Sequence, residues 1–243
     1  MKICIIGDSH TGALKRAWDN NFSSLERNVF DINFFASGGL GMAGLKLDGK
    51  KLLPSNDILK EKMKFTSNGH TCIDLTVYDF FLIYGLRAMP YFTGGVFYSD
   101  IVIGESIKDN YTNSLFFEIL KMVRQVVDKK IFIGHCPLLA NKNKDENEER
   151  LNIDLSNQYI NGISLANKRL FNLYGSELLA QPTETIAKDG RYTHSRFSKG
   201  SKRLDLAGIG QPHPENDNFH MNDEFGKLWL ELFLKKISLS SRP

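Results

Sequence analysis

The sequence predicts an α/β sandwich, and two observations carry that expectation: short apolar runs that read as buried strands, and intervening segments with helical spacing of their apolar residues. Ile3–Ile6, Val29–Phe35, Phe80–Tyr84 and Ile131–Ile133 are continuous rather than alternating, and a fifth run covers Glu177–Ala180. Continuous runs fit a parallel sheet covered by helices, because both faces of each strand then meet apolar neighbours. Gly12–Leu25, Asn113–Val127 and Ser156–Asn172 have the helical period between these runs, and Asn222–Ile237 closes the chain as an amphipathic helix.

Two regions depart from the alternation. In Lys62–Leu75, Asn68-Gly69 separates two alternating segments, Met63 and Phe65 on one side, Ile73 and Leu75 on the other. That pattern predicts an inserted β-hairpin near 62–75. Gln181–Asn218 holds seven prolines and glycines and no helical period, which predicts a long ordered loop of the kind that serves a site. The charged run Lys142–Arg150 reads as a solvated loop or helix start.

The chain has 243 residues, 42% apolar and 24% charged, the balance of one ordinary globular domain rather than a disordered chain or a coiled coil. A net charge of +3 is too mild to imply a nucleic-acid partner. Three cysteines, Cys4, Cys72 and Cys136, lack the spacing of a disulfide framework or zinc site and read as buried thiols. The histidines show no HExxH pair, so no metal is expected. The apolar run after Met1 is too short for a signal peptide, and none reaches the roughly 20 residues of a membrane span, so a cytoplasmic location is expected.

Chemistry concentrates at the two ends. Gly7-Asp8-Ser9-His10 follows the first strand and precedes a helix, which places the Ser9 hydroxyl at the carboxyl edge of the sheet, where open α/β sheets hold their sites. The alternative is a helix cap, since Asp8 and Ser9 are both favoured there. Asp217 and His220 have DxxH spacing just before the last helix. A serine hydroxyl needs a base to take its proton, and that base works best when a carboxylate fixes its tautomer.

With these blocks the chain resembles the SGNH hydrolases, the GDSL-like esterase superfamily, whose first block is Gly-Asp-Ser after strand one and whose last is DxxH. The resemblance implies a flavodoxin-like three-layer sandwich with a five-stranded parallel sheet, acyl ester chemistry, no cofactor, and a Ser9–His220–Asp217 triad. It also implies an oxyanion hole built from the Ser9 N–H, a glycine after the second strand, and an asparagine after the third. The glycine is Gly39 or Gly41 in Ser37-Gly38-Gly39-Leu40-Gly41. The third block reads Tyr84-Gly85-Leu86-Arg87, so Arg87 stands where the asparagine would be, as a candidate oxyanion donor or substrate contact.

His10, beside the nucleophile, and Arg203 are further candidate substrate contacts. Arg203 belongs to a basic stretch, Lys188 to Arg203, that holds Asp189 as its one acid and includes Tyr192, His194 and Phe197. Arg and Lys bind carboxylates and aromatic faces stack on sugars, which suits an acidic glycan, although a solvated face is the plainer reading. The expectation is a serine-dependent O-acyl esterase or O-acetyltransferase acting on a carbohydrate. The alternatives are a lipid or thioester esterase and a non-catalytic glycan-binding module.

Overall fold

The computed structural model describes residues 1–94, 98–141, 153–204 and 210–240. The run Lys142–Arg150 lies outside them. Along the chain come β1 (Lys2–Gly7), α1 (Thr11–Asn21), α2 (Ser24–Val29), β2 (Asp31–Ala36), β3 (Leu45–Asp48), β4 (Lys51–Pro54), α3 (Asp57–Thr66) and β5 (Ile73–Asp74). They are followed by β6 (Phe80–Tyr84), α4 (Asp100–Thr112), α5 (Leu115–Arg124), β7 (Ile131–Gly134), α6 (Ile153–Arg169), β8 (Ser176–Leu179) and α7 (Asp223–Ser240).

Five strands pair in parallel in the order β2-β1-β6-β7-β8, which is the flavodoxin-like order of a doubly wound sheet. The strand period of two sorts the side chains between its faces. Ile3, Ile5, Phe34, Leu82 and Phe132 pack with α1 and α7, where Trp229 meets Tyr84 edge-on at 4.8 Å. Cys4, Ile6, Phe35, Ile83 and Ile133 pack on the opposite face with residues of α3, α4, α5 and α6. Both faces are covered, so continuous apolar runs were the right signal for these strands. Gly7 lies level with Ala36 and Tyr84 in the register, so the loops leaving β1, β2 and β6 emerge side by side.

The second sheet corrects the expected hairpin at 62–75. It is antiparallel, β3-β4-β5, and its hairpin turns at Gly49-Lys50. Residues 62–66 are the end of α3, and only Ile73–Asp74 joins the sheet. Leu59, Met63 and Thr66 are buried at helical spacing, and Asn56 caps the start by accepting the Leu59 N–H at 2.9 Å. Asn68-Gly69 ends the helix instead of turning a hairpin. Asn68 takes φ 60°, and the Gly69 N–H donates back to Lys64 O at 2.8 Å, as in a Schellman closure. Asn-Gly serves both kinds of turn because both need positive φ.

Cys4 and Cys136 are buried, Cys72 is half-buried, and all three are free thiols. Among the described residues no helix is long and apolar enough to cross a membrane.

Candidate active site

Ser9 sits on the tight turn between β1 and α1, closed by the Thr11 N–H to Asp8 O and the Gly12 N–H to Ser9 O, both 3.1 Å. Only a glycine fits at position 7, where a Cβ would stand 2.6 Å from Tyr84 O. Asp8 is buried beneath the turn, and its carboxylate accepts the N–H groups of His10 (3.1 Å) and Leu86 (2.7 Å). One side chain thus ties the loop after β1 to the loop after β6. Ser9 caps nothing, since α1 has no side-chain cap. Its exposed hydroxyl is left for other work.

The partner lies at the start of α7. His220 Nε2 is 3.0 Å from Ser9 Oγ, and His220 Nδ1 is 2.7 Å from Asp217 Oδ2. Asp217 Oδ1 accepts the backbone N–H groups of Phe219 (2.8 Å) and His220 (3.0 Å), so one turn orients its own carboxylate. Burial raises the Asp217 pKa, but these N–H donors and the imidazole outweigh it and hold the carboxyl at about 2. An ionised Asp217 at Nδ1 fixes the tautomer in which Nε2 can accept the serine proton.

A group with its folded pKa depressed in this way stabilises the fold above the ordinary carboxylate range, and that contribution fades as pH falls from about 4 toward 2. Asp217→Asn should therefore be less stable than wild type at pH 7, with the difference shrinking through that window in urea titrations. A difference independent of pH would mean the carboxylate contributes through packing alone.

Two helices set the Ser9–His220 spacing. Arg16 of α1, buried, pairs with Asp223 at 2.6 Å in the first turn of α7 and also donates to Lys202 O. Gly226 lets the helices touch, because a Cβ there would stand 2.1 Å from Ala13 O. Gly226→Ala must push α7 off α1, costing about 1–3 kcal/mol. Misplacing a base by about 1 Å costs about 10²-fold in rate, so kcat on an aryl acetate should fall alongside the unfolding midpoint. A lower midpoint with unchanged kcat would show that the loops absorb the shift.

His213 is a neighbour the sequence reading left without a role. Its ring stacks on His220 at 4.0 Å and 9°, with Nδ1 3.2 Å from the same Asp217 Oδ2. Burial and the adjacent His220 charge lower its pKa against the pull of Asp217.

The oxyanion assignments change in detail. Ser37 N–H is used by Gly7 O, and Gly41 N–H by Gly38 O at 3.2 Å, so Gly41 has no backbone donor to spare. The N–H groups of Ser9, Gly38 and Gly39 have no partner among the described residues. Gly38 is the glycine beside Ser9: a Cβ on it would be 4.0 Å from Ser9 Cβ. Gly39 (φ 61°) faces open space. The glycine-rich loop hid this register because each of its glycines permits the same turn.

Arg87 is also corrected. Gly85, Leu86 and Arg87 all have positive φ (73°, 53°, 64°), closed by the Ala88 N–H to Gly85 O at 2.9 Å. For the two non-glycines, Leu86 and Arg87, this costs about 1–3 kcal/mol each and persists where the surroundings dictate it. Here Leu86 is buried in the core, while the Arg87 side chain is exposed. Arg87 does not line the cavity at Ser9, and neither does His10. The His10 ring lies 5.5 Å from that of His220, its Nδ1 is buried without a partner, and burial pushes its pKa down.

Among the described residues, two clusters bring three ligand-type atoms within 4.8 Å of one another: Asp8, His10 and Cys136, and His213, Asp217 and His220. In the first, both Asp8 oxygens already accept N–H groups, and burial pushes the Cys136 thiol up to about 12. In the second, both Nδ1 atoms already contact Asp217 Oδ2, at 3.2 Å from His213 and 2.7 Å from His220.

The cavity at Ser9 has a volume of about 500 Å³ and includes Ser9, Gly38, Asp217 and His220 in its lining. Lys62 and Phe65 of α3 and Arg203 of the loop before α7 line it too. The misread of 62–75 hid the α3 contribution, which the Asn56 cap and the Leu59, Met63, Thr66 spacing could have revealed.

In sheet order and in the order of its site residues, the chain resembles the SGNH hydrolases. No protein-family model matches the sequence, and no curated protein matches it. Among solved structures, a protein provisionally termed an arylesterase from Agrobacterium tumefaciens aligns over 98% of both chains at 10% identity and TM-score 0.39. A DUF4886 family protein from Bacteroides uniformis aligns over 94% of this chain and 78% of its own at 13% identity and TM-score 0.39. A carbohydrate acetylesterase family member from Sinorhizobium meliloti aligns over 98% of this chain and 99% of its own at 14% identity and TM-score 0.34.

Proposed function

We propose that the chain is a serine-dependent O-acyl esterase or acyltransferase acting on a carbohydrate. The observation that carries this reading is the continuous hydrogen-bonded relay from Ser9 Oγ through His220 to Asp217, with unpartnered N–H groups beside it. His220 takes the Ser9 proton as Oγ attacks the ester carbonyl, and Asp217 offsets the imidazolium charge. The N–H groups of Ser9 and Gly38 receive the developing oxyanion. Collapse expels the alcohol, protonated by His220, and leaves an acyl group on Ser9. Water or a sugar hydroxyl, deprotonated in turn by His220, then releases that group.

The carbohydrate assignment is supported by Lys62 and Arg203, two charged side chains in a wall that also carries Ala36, Phe65, Leu204 and Pro214. Labelling with a fluorophosphonate tests the acyl chemistry, since the probe phosphonylates an activated serine. Wild type should label and Ser9→Ala should not. A wild-type protein that neither labels nor hydrolyses an aryl acetate would end this reading in favour of a binding module.

A further inference from the structure

The cavity beside Ser9 carries two cationic side chains that acyl transfer does not use. Lys62 stands on α3 and Arg203 in the loop before α7, and both line the cavity that contains Ser9 and His220. Neither side chain has an ion pair or hydrogen bond among the described residues. Arg16 and Lys15, by contrast, are paired with Asp223 and Asp19. The two acids in the lining, Asp8 and Asp217, are committed to backbone N–H groups and, for Asp217, to imidazole. Lys62 is half-buried, and a partly desolvated ammonium is ordinarily offset by a counter-charge.

Both cations are mounted on fixed backbone. Thr66 Oγ1 donates to Lys62 O at 3.0 Å and accepts the Ala36 N–H at 3.1 Å, which fastens the last turn of α3 to the end of β2, just before Gly38. Arg203 is framed by its own N–H to Gln211 O (2.8 Å) and by the Gly210 N–H to its carbonyl (3.2 Å). Its charge reaches the site, since it is among the influences lowering the His213 pKa, after burial and His220. Of the basic stretch from Lys188 to Arg203, only Arg203 lines this cavity.

We propose that Lys62 and Arg203 form an anion subsite of the Ser9 cavity, so that the ester it takes carries a carboxylate or sulfate, as an O-acylated uronic acid or sulfated sugar does. The ester in this statement rests on the function proposed above; the anion rests on the two cations alone. Arg203 supplies a planar fork for two parallel hydrogen bonds to an oxyanion group, and Lys62 a compact charge that needs no fixed geometry.

Binding to Ser9→Ala protein tests the subsite without requiring turnover. Calorimetry would compare a methyl 3-O-acetyl-glucuronide, its carboxyl methyl ester, and an O-acetyl methyl galactoside 6-sulfate. The free acid or the sulfate should bind at least about tenfold more tightly than the neutral methyl ester, the scale of one charged hydrogen bond. Whichever anion binds more tightly identifies the source of the charge. That preference should shrink in Lys62→Gln and in Arg203→Gln, vanish in the double variant, and weaken as salt rises. Equal affinities for all three ligands, no detectable binding of any, or a preference that survives the double substitution would overturn the proposal. Failure of the esterase reading would register separately, as absent labelling of wild-type Ser9.

Discussion

Replacing Ser9 with alanine is expected to lower turnover of 4-nitrophenyl acetate by about 10⁴-fold or more while leaving the unfolding midpoint in place. The size of the rate effect follows from the relay: without Oγ, His220 Nε2 has no hydroxyl 3.0 Å away to deprotonate, and no acyl-enzyme forms. The indifference of the fold follows from Ser9 itself, which is exposed and caps no helix. What holds the turn is Asp8, through the N–H groups of His10 and Leu86. Steady-state kinetics and thermal unfolding of the two proteins check both halves. Turnover in Ser9→Ala within tenfold of wild type would remove Ser9 as nucleophile, and a collapsed midpoint would make it a structural residue.

His220→Ala should be nearly as damaging, and the informative comparison is with His213→Ala. The two imidazoles share Asp217 Oδ2 and stack in parallel, so charge and burial alone do not distinguish them. Reach does. Only His220 presents Nε2 to Ser9 Oγ, whereas His213 touches the carboxylate and the ring face of the base. Loss of His220 therefore removes the proton acceptor, an effect of about 10⁴-fold or more. Loss of His213 removes packing that limits the tilt of His220, and kcat should fall by about tenfold or less, the scale of a lost stacking contact of about 0.5–1.5 kcal/mol. Kinetics on both variants decide the matter. If His213→Ala proves the more severe, the base has been misassigned.

Much of this arrangement was legible in one dimension, for reasons that differ by element. The central strands of the main sheet were readable because a strand covered on both faces is apolar along most of its length, and a run such as Phe80–Tyr84 announces that without alignment. Gly7-Asp8-Ser9 and Asp217/His220 were readable because their geometry is local: a strand-to-helix turn, and one turn carrying a histidine and its carboxylate. The 62–75 segment was not, since Met63 and Phe65 fit either period and Asn-Gly serves a helix end as well as a hairpin. Here burial of Leu59, Met63 and Thr66 against the core decided for the helix.

By itself, then, the sequence determined the layered α/β class and pointed to Ser9, His220 and Asp217, which the structure joins by hydrogen bonds, because hydrophobic period and short motifs are properties of neighbouring residues. Only the tertiary structure decided which residues share the site. It spent the Gly41 N–H on Gly38, left Arg87 exposed after a run of positive φ, and brought His213 onto His220. It also brought Lys62 of α3 and Arg203, far along the chain, into the lining of one cavity. Those outcomes depend on how helices pack on a sheet and how loops spend their backbone donors, quantities fixed by contacts between residues distant in sequence.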